Sequence, residues 1–586
     1  MNNNWNLNNL YNGFTDPKFL TDVEMLPSAV TELVNFAKTA FVDINNASEK
    51  LENYIKKTQD FSRFYNILRY CSLVSAVDSE NKEALKYMSQ AQIALSEGVV
   101  ASTLFTEFIS KVTDLQSVID ASKLLKEHEF FLVNAKENAQ YLLSTPEEVI
   151  VAKLRITGST AWNTLYSQLT STLEVDFDYP GFDNPQTLSE IRNLAYHADA
   201  EVRKAAYHAE LAAYPKIEKS IAAALNAIKG EAITNTKLRG YDSILDMTLK
   251  NSRMDKKTLD VLIETMKDSL PLFTKYFKHK ASKLGLSDGL PFYDLFAPIG
   301  ESNVTFSKEE GSEFMIKNFT DFDPELGEFA QTAIDEGWVD WEPKKGKVGG
   351  AFCANLHNIK ESRVLMNYSG SFGDVLTLAH EFGHAYHGYA LKDESFLNSN
   401  YSMPIAEVAS IFCETLVCNA ALKTATDAEK LSIIETNLQG SSQVIVDIYS
   451  RYLFESELVK RREAGNLSVD ELNDIMANAQ KEAYSDGLTD EIHPYMWLCK
   501  GHYYSAGLGF YNFPYAYGLL FAKGLYKMYL DEGSAFAKKY KDLLTATGKN
   551  DLYTVGKIVG IDIHDKSFWQ GAIDVIAGEI ELFLSL

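Results

Sequence analysis

The sequence is short of cysteine, proline and positive charge. Only five cysteines occur in 586 residues, Cys71, Cys353, Cys413, Cys418 and Cys499. An odd number without framework spacing excludes a disulfide scaffold and reads as reduced thiols in a cytosol. Cys413 and Cys418 fall in an apolar helical stretch, where buried packing is a better reading than metal binding. Proline is scarce, at 14 residues, against a usual share of about 5%. Lys and Arg total 56 against 80 Asp and Glu, a net charge of −24 with a pI near 5.0. Such a surface repels a phosphate backbone, which disfavours a nucleic-acid partner. The basic clusters Lys344-Lys345-Gly346-Lys347, Lys460-Arg461-Arg462 and Lys538-Lys539 are short and read as solvated faces. Also lacking is an uninterrupted run of about 18 apolar residues, so no membrane partner is expected. The stretch Met1-Asn2-Asn3-Asn4-Trp5 carries neither the basic nor the apolar segment of a secretory signal. A cytoplasmic protein is therefore expected.

What is present is a large apolar content, 46% of the chain, enough for a substantial core without staples. Apolar residues recur at helical spacing. Examples are Leu51, Tyr54, Ile55, then Leu259, Leu262, Ile263, Met266, and later Ile573, Ile576, Ile580, Phe583. The chain reads as mainly α. Three punctuated segments interrupt it: Leu173–Leu188, Gly285–Ser302 and Asp340–Gly373. In the first, Glu174–Phe177 alternates like a short strand, and in the third Arg363–Tyr368 is a strand-like run. A helical N-terminal lobe over 1–190 and a larger unit over 191–586 are expected.

Chemistry concentrates in residues 380–387, His-Glu-Phe-Gly-His-Ala-Tyr-His. In H-E-x-x-H on a helix, His380 and His384 lie one turn apart on one face and can converge on a metal ion. Glu381 then sits where its carboxylate reaches a water beside the metal instead of the metal itself. Ser371-Phe372-Gly373-Asp374 resembles a capping box, and Val375, Leu378, Ala379 and Phe382 give the helix an apolar stripe. A catalytic zinc takes three protein ligands and leaves one position open. The metzincin pattern needs Gly and His where this chain has His387 and Ala390, so that class fails. Asp393 and Glu394 fall in a loop, whereas Glu407 opens a second apolar helix just after Pro404. Glu414, two turns further along that face, can hold a ligating histidine by its second nitrogen.

These pieces, in order, resemble the oligoendopeptidase F family within the thimet-oligopeptidase-like zinc metallopeptidases. The match rests on Gly349-Gly350-Ala351, Tyr368–Ser371, H-E-F-G-H-A-Y-H, Pro404–Ser410, His502-Tyr503-Tyr504 and Tyr511–Gly518. Weaker signatures are Asn184–Leu188 and Arg239-Gly240-Tyr241, so the resemblance covers roughly residues 170–520. It implies a two-lobed helical zinc-peptidase fold with a deep central channel and a small β element beside the active site. It also implies one Zn2+ per chain, held by His380, His384 and Glu407, with Glu381 as general base. The strand near Arg363 and Val364, with Gly350 before it, would be an edge that pairs with substrate main chain. His502, Tyr511 and Tyr515 would stabilise the oxyanion. The last tyrosine of the thimet branch falls on Gly518 here, and Tyr517, one place earlier, would bind substrate together with Gly350, Arg363 and Val364.

The expected function is zinc-dependent endoproteolysis of short unstructured peptides. A dipeptidyl carboxypeptidase with the same zinc site is one alternative. A non-catalytic helical peptide-binding protein is the other. The sequence carries no sign of oligomeric state.

Overall fold

Helical spacing of apolar residues and scarce proline lead to a mainly α protein. The computed structural model describes residues 3–300 and 305–586. Met1, Asn2 and the Glu301-Ser302 end of the second punctuated segment lie outside the described residues. Helices α1 (Tyr65–Val77) and α2 (Lys82–Glu97) come early in the chain, and strands β1 (Glu174–Val175) and β2 (Gln186–Thr187) then pair as a small separate sheet. Helix α3 (Lys256–Lys283) follows, then strands β3 (Val339–Asp340), β4 (Phe352–Leu356) and β5 (Glu361–Leu365). Helices α4 (Phe372–Ala390), α5 (Val408–Thr424), α6 (Ile448–Arg462), α7 (Phe513–Glu532) and α8 (Lys566–Ser585) complete the set.

Helix α3 shows how the pattern becomes structure. The Asp255 carboxylate accepts the Thr258 N–H at 2.8 Å and so satisfies a free donor at the helix start. Leu259, Leu262, Met266, Phe273 and Phe277 then form the stripe that disappears into the core.

Two large hydrophobic cores result among the described residues, beside a small cluster of Cys418, Ala421 and Ile433. One gathers side chains from Trp5 to Leu132 and takes in Leu356 and Leu365 from the sheet. The other runs from Tyr166 to Phe583. Buried ion pairs tie the larger core together: Lys229 to Glu455 at 2.6 Å, Lys280 to Glu435 at 2.5 Å and Lys523 to Glu579 at 2.6 Å. The stretches Lys82–Lys111 and Met403–Thr424 are apolar and long enough to cross a membrane by composition. In the second, Val408, Ala409, Phe412 and Cys413 are fully buried in the fold, as a core helix would have them.

The three-stranded sheet has the order β3-β5-β4. This corrects the expectation that the strand carrying Arg363 and Val364 is an edge. Strand β3 pairs with β5 in parallel, Val339 opposite Val364, and closes the side of β5 not taken by β4. Both Arg363 and Val364 are only 1% exposed. The Arg363 guanidinium donates to the Asn6 and Ser362 carbonyls at 2.5 and 2.7 Å and to Glu361 at 2.8 Å, so it faces the core rather than a ligand.

The open edge belongs to β4, which pairs antiparallel with β5, Phe352 opposite Leu365 and Leu356 opposite Glu361. Its alternate side chains divide between two neighbours. Phe352, Ala354 and Leu356 pack on the N-terminal core. Asn355 turns to α4, donating from Nδ2 to the His384 carbonyl at 3.3 Å. Helix α1 runs antiparallel beside this edge and is tied at both ends. Asn358 Nδ2 donates to the Ser62 carbonyl at 2.9 Å, and the Val348 N–H donates to the Ala76 carbonyl at 2.9 Å.

Candidate active site

The site is built on the start of α4. The Ser371 hydroxyl accepts the Asp374 N–H at 3.1 Å, and the Asp374 carboxylate accepts the Ser371 N–H at 2.9 Å, completing the expected capping box. From that fixed start, Val375, Leu378, Ala379 and Phe382 are fully buried, which turns His380 and His384 to the opposite side. Gly383 decides how near α5 comes. A Cβ on Gly383 would lie 2.5 Å from both the Ala409 carbonyl oxygen and the Ser410 Cα, so only glycine permits this helix contact.

That approach brings Glu407, the residue before α5, to the two histidines. Glu407 Oε2 lies 3.2 Å from His380 Nε2 and 3.4 Å from His384 Nε2. The three ligand atoms all lie within 4.8 Å of one another. Ligand atoms around a tetrahedral zinc, at bonds of about 2.0–2.2 Å, would stand about 3.3–3.6 Å apart, so the donor set fits zinc in type and spacing. On its other side His380 Nδ1 contacts Glu414 Oε2 at 3.1 Å, which orients the ring so that Nε2 faces the metal position. Burial alone would lower the His380 pKa, but hydrogen bonds to Glu407 and Glu414 override it and hold the ring up to about 10. Burial would likewise raise Glu407, yet the two histidines hold it far below the usual carboxylate range. Both shifts show the electrostatics of a place suited to a cation.

Glu381 stands apart from these ligands. It is 6% exposed, and its Oε2 is a buried oxygen with no hydrogen-bond partner. Burial pushes its pKa up, against the lowering effect of His380 and His384. A carboxylate oxygen left unpaired next to a metal position has the geometry of a proton acceptor. The third histidine of the motif, His387, lies two turns, about 10.5 Å, beyond His380 and is not part of this convergence. It is fully buried, with Nε2 2.8 Å from Thr547 Oγ1 and its ring stacked on Tyr401 at 3.9 Å.

Helix α7 closes the other side. Gly518 rests against Glu407, and a Cβ there would meet the Glu407 Cβ at 3.1 Å. On the same face, one turn earlier, lies Tyr515, and Tyr511 lies in the turn just before α7. The Tyr515 and Tyr511 hydroxyls are hydrogen-bonded to each other at 3.2 Å, which leaves one hydrogen of the pair free for another acceptor. Tyr517 is a correction. It points 200° round the helix from Tyr515, is fully buried against Phe521 and Trp569, and cannot touch a substrate.

His502 is exposed, with its ring 4.8 Å from that of Tyr511. Its Nδ1 lies 3.0 Å from Asn512 Oδ1, an oxygen that also accepts from Arg451 Nη1 at 3.1 Å. Nδ1 therefore carries the proton, and in the neutral ring Nε2 is an acceptor. Burial and the Arg451 charge lower the His502 pKa, which favours that neutral form. Of the substrate-binding expectations, Gly350 is exposed in a positive-φ turn (φ 77°) just before β4, and its carbonyl accepts from Asn367 Nδ2 at 2.7 Å.

Sequence reasoning missed three groups. Cys353 lies beside Glu381 on β4, and Asn355 holds the α4 backbone. Tyr401 covers His387 and lies within the field of Glu407. Only the identity of the edge strand would have found the first two, and no local signal marks Tyr401.

Comparison with known proteins supplies a family. The model of peptidase family M3 matches residues 193–575, and that of oligopeptidase F matches residues 112–174. An oligoendopeptidase F homologue of Borreliella burgdorferi is 26% identical over 561 residues, covering 91% of this chain and 92% of its own. The oligopeptidase PepF of Bacillus subtilis is 25% identical over 547 residues, covering 91% and 81%. Among solved structures, a Chlamydophila abortus peptidase superposes with a TM-score of 0.86 at 22% identity, over 100% of this chain and 98% of that one. Oligoendopeptidase-F of Enterococcus faecium gives 0.70 at 18% identity, over 96% and 98%.

Proposed function

The chain belongs to peptidase family M3, a metallopeptidase family, and on that premise we propose that it is a zinc-dependent oligoendopeptidase cutting internal bonds of short unstructured peptides. The observation that carries the reading is the convergence of His380, His384 and Glu407 beside a buried, unpaired Glu381 oxygen. His380, His384 and Glu407 would hold one Zn2+, with Glu414 orienting His380. The chemistry such an ion supplies is Lewis acidity, which polarises a peptide carbonyl and acidifies a water.

The chain's own residues do the rest. The open edge of β4, rather than β5, aligns the peptide main chain by strand addition. Glu381 Oε2 takes the proton from the attacking water and then delivers it to the leaving amine, so the carboxylate is regenerated. Tyr511 donates to the oxygen that becomes negative, and Tyr515 holds Tyr511 in place. His502, an acceptor at Nε2 in its neutral form, is assigned to positioning Asn512 and Tyr511 rather than to oxyanion stabilisation. The five unpaired cysteines support a cytoplasmic location.

The test is an internally quenched peptide of about ten residues. Cleavage that a chelator abolishes and stoichiometric zinc restores supports the reading. Mass spectrometry of an end-blocked peptide decides the outcome: internal cuts support an endopeptidase, whereas no cleavage would sink the proposal.

A further inference from the structure

A cavity of about 820 Å3 lies between α1, α2 and the open edge of β4, a volume typical of ligand sites. Cys353, which lies beside Glu381, and Tyr401, which lies in the field of Glu407, line it on the catalytic side. Tyr65, Arg69, Met88 and Gln92 line it on the N-terminal side. A strand added to β4 shares the two faces of the sheet. Side chains of one parity would turn toward α4. Those of the other parity would turn, as Phe352, Ala354 and Leu356 do, toward the N-terminal core and its helices α1 and α2.

Charge in this cavity is almost entirely spoken for. Lys360 is paired with Asp393 at 2.6 Å, and Glu361 with Arg363 at 2.8 Å and Asn9 at 2.6 Å. Arg69 is the exception. It is exposed, and among the described residues it has no ion pair or hydrogen bond. Its polar neighbours in the lining, Asn66, Ser72 and Gln92, are neutral. An uncompensated guanidinium inside a chain of net charge −24 is a directed feature, because most of the surface repels acidic ligands.

We propose that Arg69 is a specificity-determining residue, selecting peptides that place an acidic side chain against α1. The inference rests on the reading of this cavity as the peptide channel. The guanidinium fork matches a carboxylate in two parallel hydrogen bonds, a geometry that a neutral or basic side chain does not offer. Alternation along the added strand confines the effect to positions of one parity.

The experiment compares quenched peptides of one sequence carrying Ala, Asp or Lys at each position around the scissile bond. The quantity read is the Asp-to-Ala ratio of kcat/KM at each position, in the wild type, Arg69→Met and Arg69→Glu. We expect a ratio of about fivefold at one position in the wild type, the effect of one solvent-exposed ion pair. It should fall to about one in Arg69→Met and invert in Arg69→Glu, which should favour Lys. Arg69 is exposed on a helix, so both variants should fold, with circular dichroism and zinc content as controls. A wild-type ratio near one at every position, or a preference that survives in both variants, overturns the inference alone. No cleavage of any peptide by the wild type overturns the peptidase reading and this inference with it.

Discussion

Gly383 touches Ser410: a methyl group on the glycine would lie 2.5 Å from the Ser410 Cα. The contact fixes the separation of α4 and α5, and with it the reach of Glu407 to His380 and His384. Gly383→Ala should force the helices apart, lowering stability by about 1–3 kcal/mol, the usual range for overpacking. It should also lower zinc content. Thermal unfolding and metal analysis together check this, and an unchanged Tm with full zinc would contradict it.

Glu381 separates metal binding from chemistry. Glu381→Gln should keep zinc and lose turnover by about a thousandfold, within the span of a general base. Near-normal peptide cleavage by this variant would end the proposed mechanism.

His384 and Glu414 should differ in kind. Removing a ligand, His384→Ala, should leave the purified protein without zinc. Glu414→Gln removes only the partner of His380 Nδ1, so zinc affinity should weaken by about 10–100-fold and occupancy should recover at high zinc. Titration with a competing chelator distinguishes the two. Equal affinity in Glu414→Gln and wild type would remove Glu414 from the site.

The two tyrosine hydroxyls should also be unequal. Tyr511→Phe removes the proposed oxyanion donor and should lower kcat by about 10²–10³ with little change in KM. Tyr515→Phe leaves that donor in place and should cost less. The reverse order would make Tyr515 the donor.

Glu435 tests the core instead of the site. Its carboxylate accepts from Lys280 at 2.5 Å and from the Tyr276 hydroxyl at 3.0 Å. Glu435→Gln leaves the fully buried Lys280 without its counter-charge and should destabilise by about 3–5 kcal/mol. Denaturant unfolding measures it, and a change below about 1 kcal/mol would show that the pair is dispensable.

By itself the sequence determined what depends on short-range periodicity. The capping box at Ser371, the i,i+4 pair His380 and His384, the Glu407 helix start and the seven-residue step to Glu414 all follow from 3.6 residues per turn. The same rule separates Tyr517 from the α7 face shared by Tyr515 and Gly518. Tertiary structure alone decided which strand is the edge. Strand order follows from the pairing of Val339 with Val364, 25 positions apart, and no local pattern encodes it. The contact of Arg363 with the distant Asn6 carbonyl, and the cavity wall that Arg69 faces, were likewise settled by tertiary structure. Helical faces are written in the spacing of a few residues; the edges and the uncompensated charges exist only after the chain has folded back on itself.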